Sequence, residues 1–195
     1  MRTKTDEKRQ AIVDAAIAVF EESGYERASM TSIASKVGGS KATLYNYFSS
    51  KEALFAASMT HALEERGERV LKTLEEPGEV GRVLRAFGER HLEFLAHPDM
   101  LAIQRTVIND GHATGVGREV YQIGPQRIID ALAAFLAARH ATGEIVVAHP
   151  ELAALQFKAL LEAGIVEPLL YGSEPISDLR QAAEVATVAF LKICV

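Results

Sequence analysis

The chain has one cysteine, Cys194, in 195 residues. It cannot close an intrachain disulfide, which fits a reducing compartment. No apolar run approaches the roughly 20 residues that a membrane helix needs. The opening segment, MRTKTDEKRQ, is polar and lacks the apolar core of a secretion signal. Internal repeats and low-complexity stretches are also missing. These absences lead us to expect a soluble cytoplasmic protein with no membrane partner.

Catalytic patterns are equally scarce. The six histidines are His61, His91, His97, His112, His140 and His149. None forms an HExxH pattern or an i, i+4 pair, so no metal site is expected. There is no GxSxG, no phosphate-cradling Walker loop and no GxGxxG after a strand. We therefore expect no catalytic residues, no cofactor and no enzymatic activity. An acid–base pair assembled from distant carboxylates would escape such a search. A helical enzyme, or a helical adaptor without sequence-specific DNA binding, is thus the alternative class.

Acidic residues are absent from one long stretch. Between Arg27 and Lys51 the chain carries Arg27, Lys36, Lys41 and Lys51 and no Asp or Glu. The whole chain has a net charge of −5, yet residues 1–55 hold 8 basic and 7 acidic side chains. The remainder holds 13 basic and 19 acidic. The front end can thus approach a polyanion while the acidic remainder is held off it. Hydrophobic residues at 48% and a mean hydropathy of +0.06 fit a globular chain of ample size for a core.

Met30 to Lys51 reads as two short helices around a glycine turn. Ile33, Ala34 and Val37 give the first an apolar face. Ser29 is placed to cap it, and Gly38-Gly39 breaks it. Ser40 is placed to cap a second helix, Lys41 to Phe48, and Ser50 a third starting at Lys51. In the second helix Leu44 and Phe48 form an anchoring stripe. Lys41, Thr43, Tyr45, Asn46 and Tyr47 offer donors suited to phosphates and major-groove base edges. A solvated amphipathic helix is the plainer alternative. Helix, Gly-containing turn and helix is the helix-turn-helix pattern.

Arg9 to Phe55 resembles the N-terminal domain of TetR-family transcriptional regulators. The matching residues are Ile12, Ala15, Ala16 and Phe20; Gly24-Tyr25; Ser29-Met30; Ile33-Ala34; Gly38; Ser40-Lys41; Thr43-Leu44-Tyr45; Tyr47-Phe48; Lys51-Glu52; and Leu54-Phe55. Where the family usually has an apolar residue before the capping serine, this chain has Gly39. The resemblance implies DNA contacts by Ser29, Thr31, Ser40, Lys41, Thr43, Tyr45, Asn46, Tyr47 and Lys51. Tyr45, Tyr47 and Lys51 would hold phosphate. Lys41, Thr43 and Asn46 are the better candidates for bases, with Lys41 able to serve either role.

The rest of the chain reads as helices, giving an all-α protein. A helix from about Asp6 to Ser23 should end at Gly24, and a long one should run from Lys51 to about Glu75. Pro77-Gly78 interrupts the pattern. Further helices are expected over Glu79–Ala96, from Pro98 to about Asn109, and from Pro125 to Arg139. Residues 110–115 read as a loop. Glu151 to Tyr171 should be helical, ended or kinked at Pro168, and Ser177 is placed to cap a last helix. We divide the chain at 55/56. Residues 1–55 form a three-helix DNA-binding domain, and residues 56–195 a larger helical ligand-binding and dimerisation domain.

The two last helices carry enough apolar surface for a four-helix interface between two copies, or for an ordinary core. Resemblance to TetR-like proteins, which pair through their last helices, favours the interface, at Leu155, Leu161, Ala182, Ala186 and Phe190. The C-terminal half is similar to the AefR-like subgroup around Asn109, Tyr121 and Gly124-Pro125. Phe87, His91, Phe94, Gln104, Val107, Ile108, Tyr121, Ile128, Leu132, Phe157 and Leu161 fit either a core or an apolar pocket with a few polar groups. The family resemblance implies the pocket. The function implied is a ligand-responsive regulator, a repressor that binds a palindromic double-stranded operator as a homodimer and is released by a small apolar organic effector.

Overall fold

The computed structural model describes the backbone of residues 4–114 and 116–194, with side chains over most of that range. Every described element is helical: α1 Lys4–Arg27, α2 Met30–Val37, α3 Lys41–Tyr45, α4 Lys51–Lys72, α5 Val80–Leu95, α6 Pro98–Thr114, α7 Val116–Tyr121, α8 Arg127–Ala141, α9 Pro150–Glu162, α10 Val166–Leu170 and α11 Leu179–Ile193. A 3-10 turn, Thr73–Glu75, follows α4, and a π turn, Gln122–Gln126, joins α7 to α8. Among the described residues no helix is long and apolar enough to cross a membrane.

The chain forms two compact units, 1–64 with 105–120, and 65–104 with 121–195. This differs from a single cut at 55/56. Helix α4 continues unbroken past Phe55, and α6 likewise has residues in both units. The side chain of Asn109, named above, lies outside the described residues, as does that of Ala62 on α4.

In the first unit α2 packs on both α1 and α3. Ile12, Ala16, Phe20, Ile33, Leu44 and Leu54 are buried there. Each large apolar side chain removed from water contributes roughly 1.5–3 kcal/mol. Phe20 and Phe55 meet edge to face at 5.0 Å, and Tyr25 lies 4.7 Å from Phe55. Gly24 interrupts α1 with a φ of 74°, a left-handed geometry that costs glycine nothing. The first helical run thus ends at Gly24, as expected, and one further turn, to Arg27, follows the kink.

In the second unit α5 packs against α9 and α11, and α8 against α9. Phe157 stands 6.4 Å from Phe87 and 4.9 Å from Phe190, ring centre to ring centre. Gly88 allows the close approach of α5. A Cβ placed on it would lie 2.7 Å from Leu161 Cδ2 and 3.2 Å from Ala183 Cβ.

Several boundaries differ from expectation. Residues 110–114 are helical, as the end of α6, because a glycine inside a helix costs only about 1 kcal/mol. Pro125 lies inside the π turn instead of opening α8, which starts at Arg127. The break after α9 falls at Gly164, with a φ of 73°, while Pro168 sits in the first turn of α10. There the missing N–H would have lacked a helical partner anyway. Asp178, not Ser177, caps α11, its side chain accepting from Gln181 N at 2.9 Å. Residues 144–149 are a connector in which Ile145 and Val147 are buried and Val146 is exposed.

We expect Gly88→Val to destabilise the chain by roughly 1–3 kcal/mol, the usual cost of overpacking a filled core. Urea unfolding of the full-length variant checks this. An unchanged midpoint would mean that α5 has room to shift.

Candidate nucleic-acid interface

Helices α2 and α3 are too short to persist alone, so their ends are secured locally. Ser29 is the N-cap of α2, its hydroxyl accepting from Ser32 N at 3.1 Å. Ser32 returns the contact, accepting from Ser29 N at 3.1 Å, which completes a reciprocal box. Gly38 ends α2 in the left-handed region. Ser40 caps α3, accepting from Thr43 N at 3.0 Å, and its oxygen lies 2.8 Å from Thr43 Oγ1. Ser50 accepts from Ala53 N at 3.1 Å and so caps α4.

Helix α3 is shorter than the expected Lys41–Phe48. It ends at Tyr45, and Tyr47 N and Phe48 N both donate to Leu44 O, at 3.0 and 2.9 Å. The turn still buries Leu44 and Phe48 together, so the anchoring stripe survives the shorter helix. Arg9 lies over the Phe48 ring at 4.9 Å.

This anchoring leaves a polar set outward. Ser29, Thr31, Ser40, Lys41, Tyr45 and Asn46 are exposed, and Thr43, Tyr47 and Lys51 are half-buried. The hydroxyls of Ser29 and Ser40 are committed to the caps. Lys41 Nζ lies 5.8 Å from the Tyr45 ring centre. Lys36 pairs with Glu22. Lys51 faces inward instead. Its ammonium donates to Tyr25 O at 3.0 Å and Ala28 O at 3.2 Å. Neither these acceptors nor the role of Ser32 was read from the sequence. Ser32 was discoverable as a hydroxyl three residues after a cap. The Lys51 acceptors lie 26 and 23 residues away in the chain, beyond any local pattern.

The residues expected to bind an effector divide. Phe87, Leu132, Phe157 and Leu161 have no exposed surface, so they line no space that would admit water and are packed core in this form. Ile128 and Phe94 pack with them. Gln104 and Tyr121 belong to the same unit, Tyr121 at 49% exposure. Val107 and Ile108 fall in the other unit, with Ile108 71% exposed.

His91 is 2% exposed and stacks on Phe87 at 5.5 Å. Its Nε2 lies 2.8 Å from Glu162 Oε1, and Lys158 donates to Glu162 Oε2 at 2.7 Å. Burial pushes the Glu162 carboxyl up, but the hydrogen bonds and charges of His91 and Lys158 outweigh it and hold the group below its ordinary range. The carboxylate therefore accepts, and His91 Nε2 donates. Among the described residues, His91 Nδ1 and Gln104 Nε2 are buried without a hydrogen-bond partner.

The expected interface residues also need correction. Leu161, Ala186 and Phe190 are buried within the chain, and Ala182 packs against its core. They fall on the inner faces of α9 and α11. Leu155 is on the outer face of α9 at 46% exposure, with Leu152 three residues earlier. Val185 and Val188 play the same part on α11. Cys194 is buried, and burial raises its thiol pKa, as for an inert structural cysteine.

Residues 12–58 match the family described as bacterial regulatory proteins, tetR family. Residues 82–192, more than half of the chain, match the AefR-like transcriptional repressor, C-terminal domain. The chain belongs to the TetR family of transcriptional regulators. These are DNA-binding helix-turn-helix proteins and not enzymes. A structure from Mesorhizobium loti MAFF303099, described as a TetR-family transcriptional regulator, is 25% identical with a TM-score of 0.81, over all of both chains. The flavonoid-responsive regulator FrrA is 31% identical with a TM-score of 0.71, over 96% of this chain and 97% of that one. The transcriptional activator FasR of Mycolicibacterium smegmatis is 34% identical over 96 residues. That match spans 49% of this chain and 44% of FasR.

Gly39 is where this TetR-family head departs from the usual pattern. Its φ is ordinary, and an added Cβ would meet only Val37 Cγ1, at 3.4 Å. Gly39→Ala should therefore stabilise the head by about 0.4–1 kcal/mol, through the unfolded chain. Thermal unfolding of the full chain should show a higher midpoint. A lower one would mean that Val37 cannot yield.

Proposed function

We propose that this TetR-family protein is a homodimeric repressor acting in the cytoplasm, which binds a palindromic operator and is released by a small, largely apolar organic effector. The observation that carries the DNA reading is the short helix α3. Leu44 anchors it, Ser40 caps it, and Lys41, Tyr45 and Asn46 are exposed on it or at its end. In this reading Lys41, Thr43 and Asn46 meet base edges, and Tyr45 and Tyr47 meet phosphate. The match to an AefR-like repressor domain supports repression. Two recognition helices in successive major grooves would be spaced roughly 34–36 Å or somewhat more.

Likeness to the flavonoid-responsive regulator supports an aromatic, sparingly polar effector. His91 and Gln104, each with a buried nitrogen lacking a partner among the described residues, supply polar groups for it. Because the surrounding apolar residues are packed core, the effector would select a more open form of the unit. It moves that equilibrium only by its difference in affinity for the two forms. The long helix α4, past Phe55 and Ala62, would carry the change to the head.

Selection from random duplex DNA tests the first part. Recovery of a two-fold symmetric motif is expected, and Thr43→Val should alter base preference within it. Turnover of a small molecule without DNA preference would favour an enzyme. Flavonoids and other small aromatics can then be screened for release of the operator, from wild type and from Phe94→Ala and Gln104→Ala. Equal release from all three would put the effector elsewhere. Phe157→Ala is the poorer probe, because it would cost about 3–5 kcal/mol of core packing.

Dimerisation is best tested on the outer faces. Leu155→Arg or Val185→Arg should give a folded monomer that no longer holds the operator. Sedimentation showing a full-affinity dimer for both would place the interface elsewhere. Ala186→Arg would instead insert charge into the core of the chain itself.

A further inference from the structure

Three buried side-chain nitrogens have no hydrogen-bond partner among the described residues, and all belong to the second unit: Arg66 Nη1 on α4, His91 Nδ1 on α5 and Gln104 Nε2 on α6. Arg66 still faces Asp99 Oδ2 at 4.0 Å, and its side chain is 40% exposed. Gln104 is half-buried. His91 alone is enclosed. Its ring lies nearly parallel to that of Phe87, at 12°, and its Nε2 is spent on Glu162. Nδ1 is the remaining polar atom of the ring.

The neighbours of the ring decide what Nδ1 can take. Glu162 is ionised, with Oε1 meeting His91 and Oε2 meeting Lys158. Charge is graded along this chain of groups. The Lys158 and Glu162 side chains keep contact with water, at 23% and 20% exposure, while that of His91 is at 3%. Lys158 thus balances the carboxylate at the hydrated end. A second cation at the enclosed end would add an unbalanced charge against Phe87. A neutral ring with its proton on Nε2 satisfies this arrangement and presents a bare lone pair at Nδ1.

We propose that the effector is recognised through an uncharged hydroxyl that donates to His91 Nδ1, which makes it a phenol or alcohol on an apolar frame and not an organic acid. This rests on the effector reading above and names the chemical class it leaves open. A carboxylate would meet the lone pair of Nδ1 with lone pairs of its own. An ether has no hydrogen to give. Gln104 Nε2, in the same unit, calls for an acceptor, so a frame that carries a carbonyl beside the hydroxyl suits both nitrogens. Such a site discriminates strongly, because an analogue without the hydroxyl hydrogen leaves the nitrogen unpaired in the complex.

Binding to the free full-length chain is measured by calorimetry for monohydroxyflavones, their methyl ethers and the corresponding flavone carboxylates. At least one hydroxyflavone should bind on the order of tenfold to a hundredfold more tightly than its ether and its carboxylate. In His91→Gln the amide N–H can still donate to Glu162, but nothing stands in place of Nδ1, so the preference for hydroxyl over ether should disappear. Gln104→Leu should weaken hydroxyflavone and ether alike and keep the preference, since both retain the carbonyl. Equal binding of hydroxyl and ether by wild type would leave Nδ1 to a buried water and overturn the proposal. Tightest binding of the carboxylate, no binding of any hydroxyflavone, or a preference that survives in His91→Gln would also overturn it. If His91→Gln does not fold, the imidazole nitrogen NMR signals of wild type decide. The bound hydroxyflavone should shift Nδ1 without protonating it, and an unmoved signal overturns the proposal. Binders that leave the operator occupied would count against the regulator reading alone, because these affinities are measured without DNA.

Discussion

Short helices do not stand by themselves, and the DNA-binding head is built around that constraint. Nucleating a helical turn fixes several dihedrals for one hydrogen bond, so α2 and α3 rely on their ends and on burial. The reciprocal Ser29–Ser32 cap, the left-handed Gly38 and the Ser40 cap close the exposed backbone groups. Leu44 and Phe48 supply burial from the same segment that presents Lys41, Tyr45 and Asn46. The polar groups facing out are affordable only because the stripe facing in is fully used.

The second unit solves a different problem with larger parts. Its helices are long enough to bury continuous faces, and α5 reaches α9 and α11 through the missing side chain of Gly88. Phe87, Phe157 and Phe190 fill the space so created. Into this apolar setting the chain places His91, Glu162 and Lys158, a hydrogen-bonded chain that keeps the carboxylate ionised while leaving one imidazole nitrogen without a partner among the described residues. Buried polar groups of this kind are costly unless satisfied. In the proposed reading, an effector that paired with this nitrogen would offset that cost.

Much of this was legible beforehand. Ser29, Ser40 and Ser50 each cap the helix they were expected to cap, because capping depends on the residue and the three that follow it. The i, i+4 stripe of Leu44 and Phe48 was legible for the same reason. Local rules failed where two neighbours competed. Ser177 and Asp178 can both cap α11, and the carboxylate does so. Gly164 and Pro168 can both end a helix, and the break falls at Gly164, where Ile176 N donates to its carbonyl at 2.9 Å. That partner lies twelve residues further on.

The sequence by itself determined the family, the all-helical class, the positions of most helices and the polar character of α3. These follow from periodicity, capping and a dense run of matching residues, all of which are local in the chain. The tertiary structure decided which face of each helix turns inward. It put Leu161, Ala186 and Phe190 into the core and left Leu152, Leu155, Val185 and Val188 outside, although all lie on equally apolar helices. It also turned Lys51 toward Tyr25 and Ala28. Both outcomes depend on contacts between residues far apart in the chain, and a helix that is apolar on two sides carries no local signal of which side its own chain will cover.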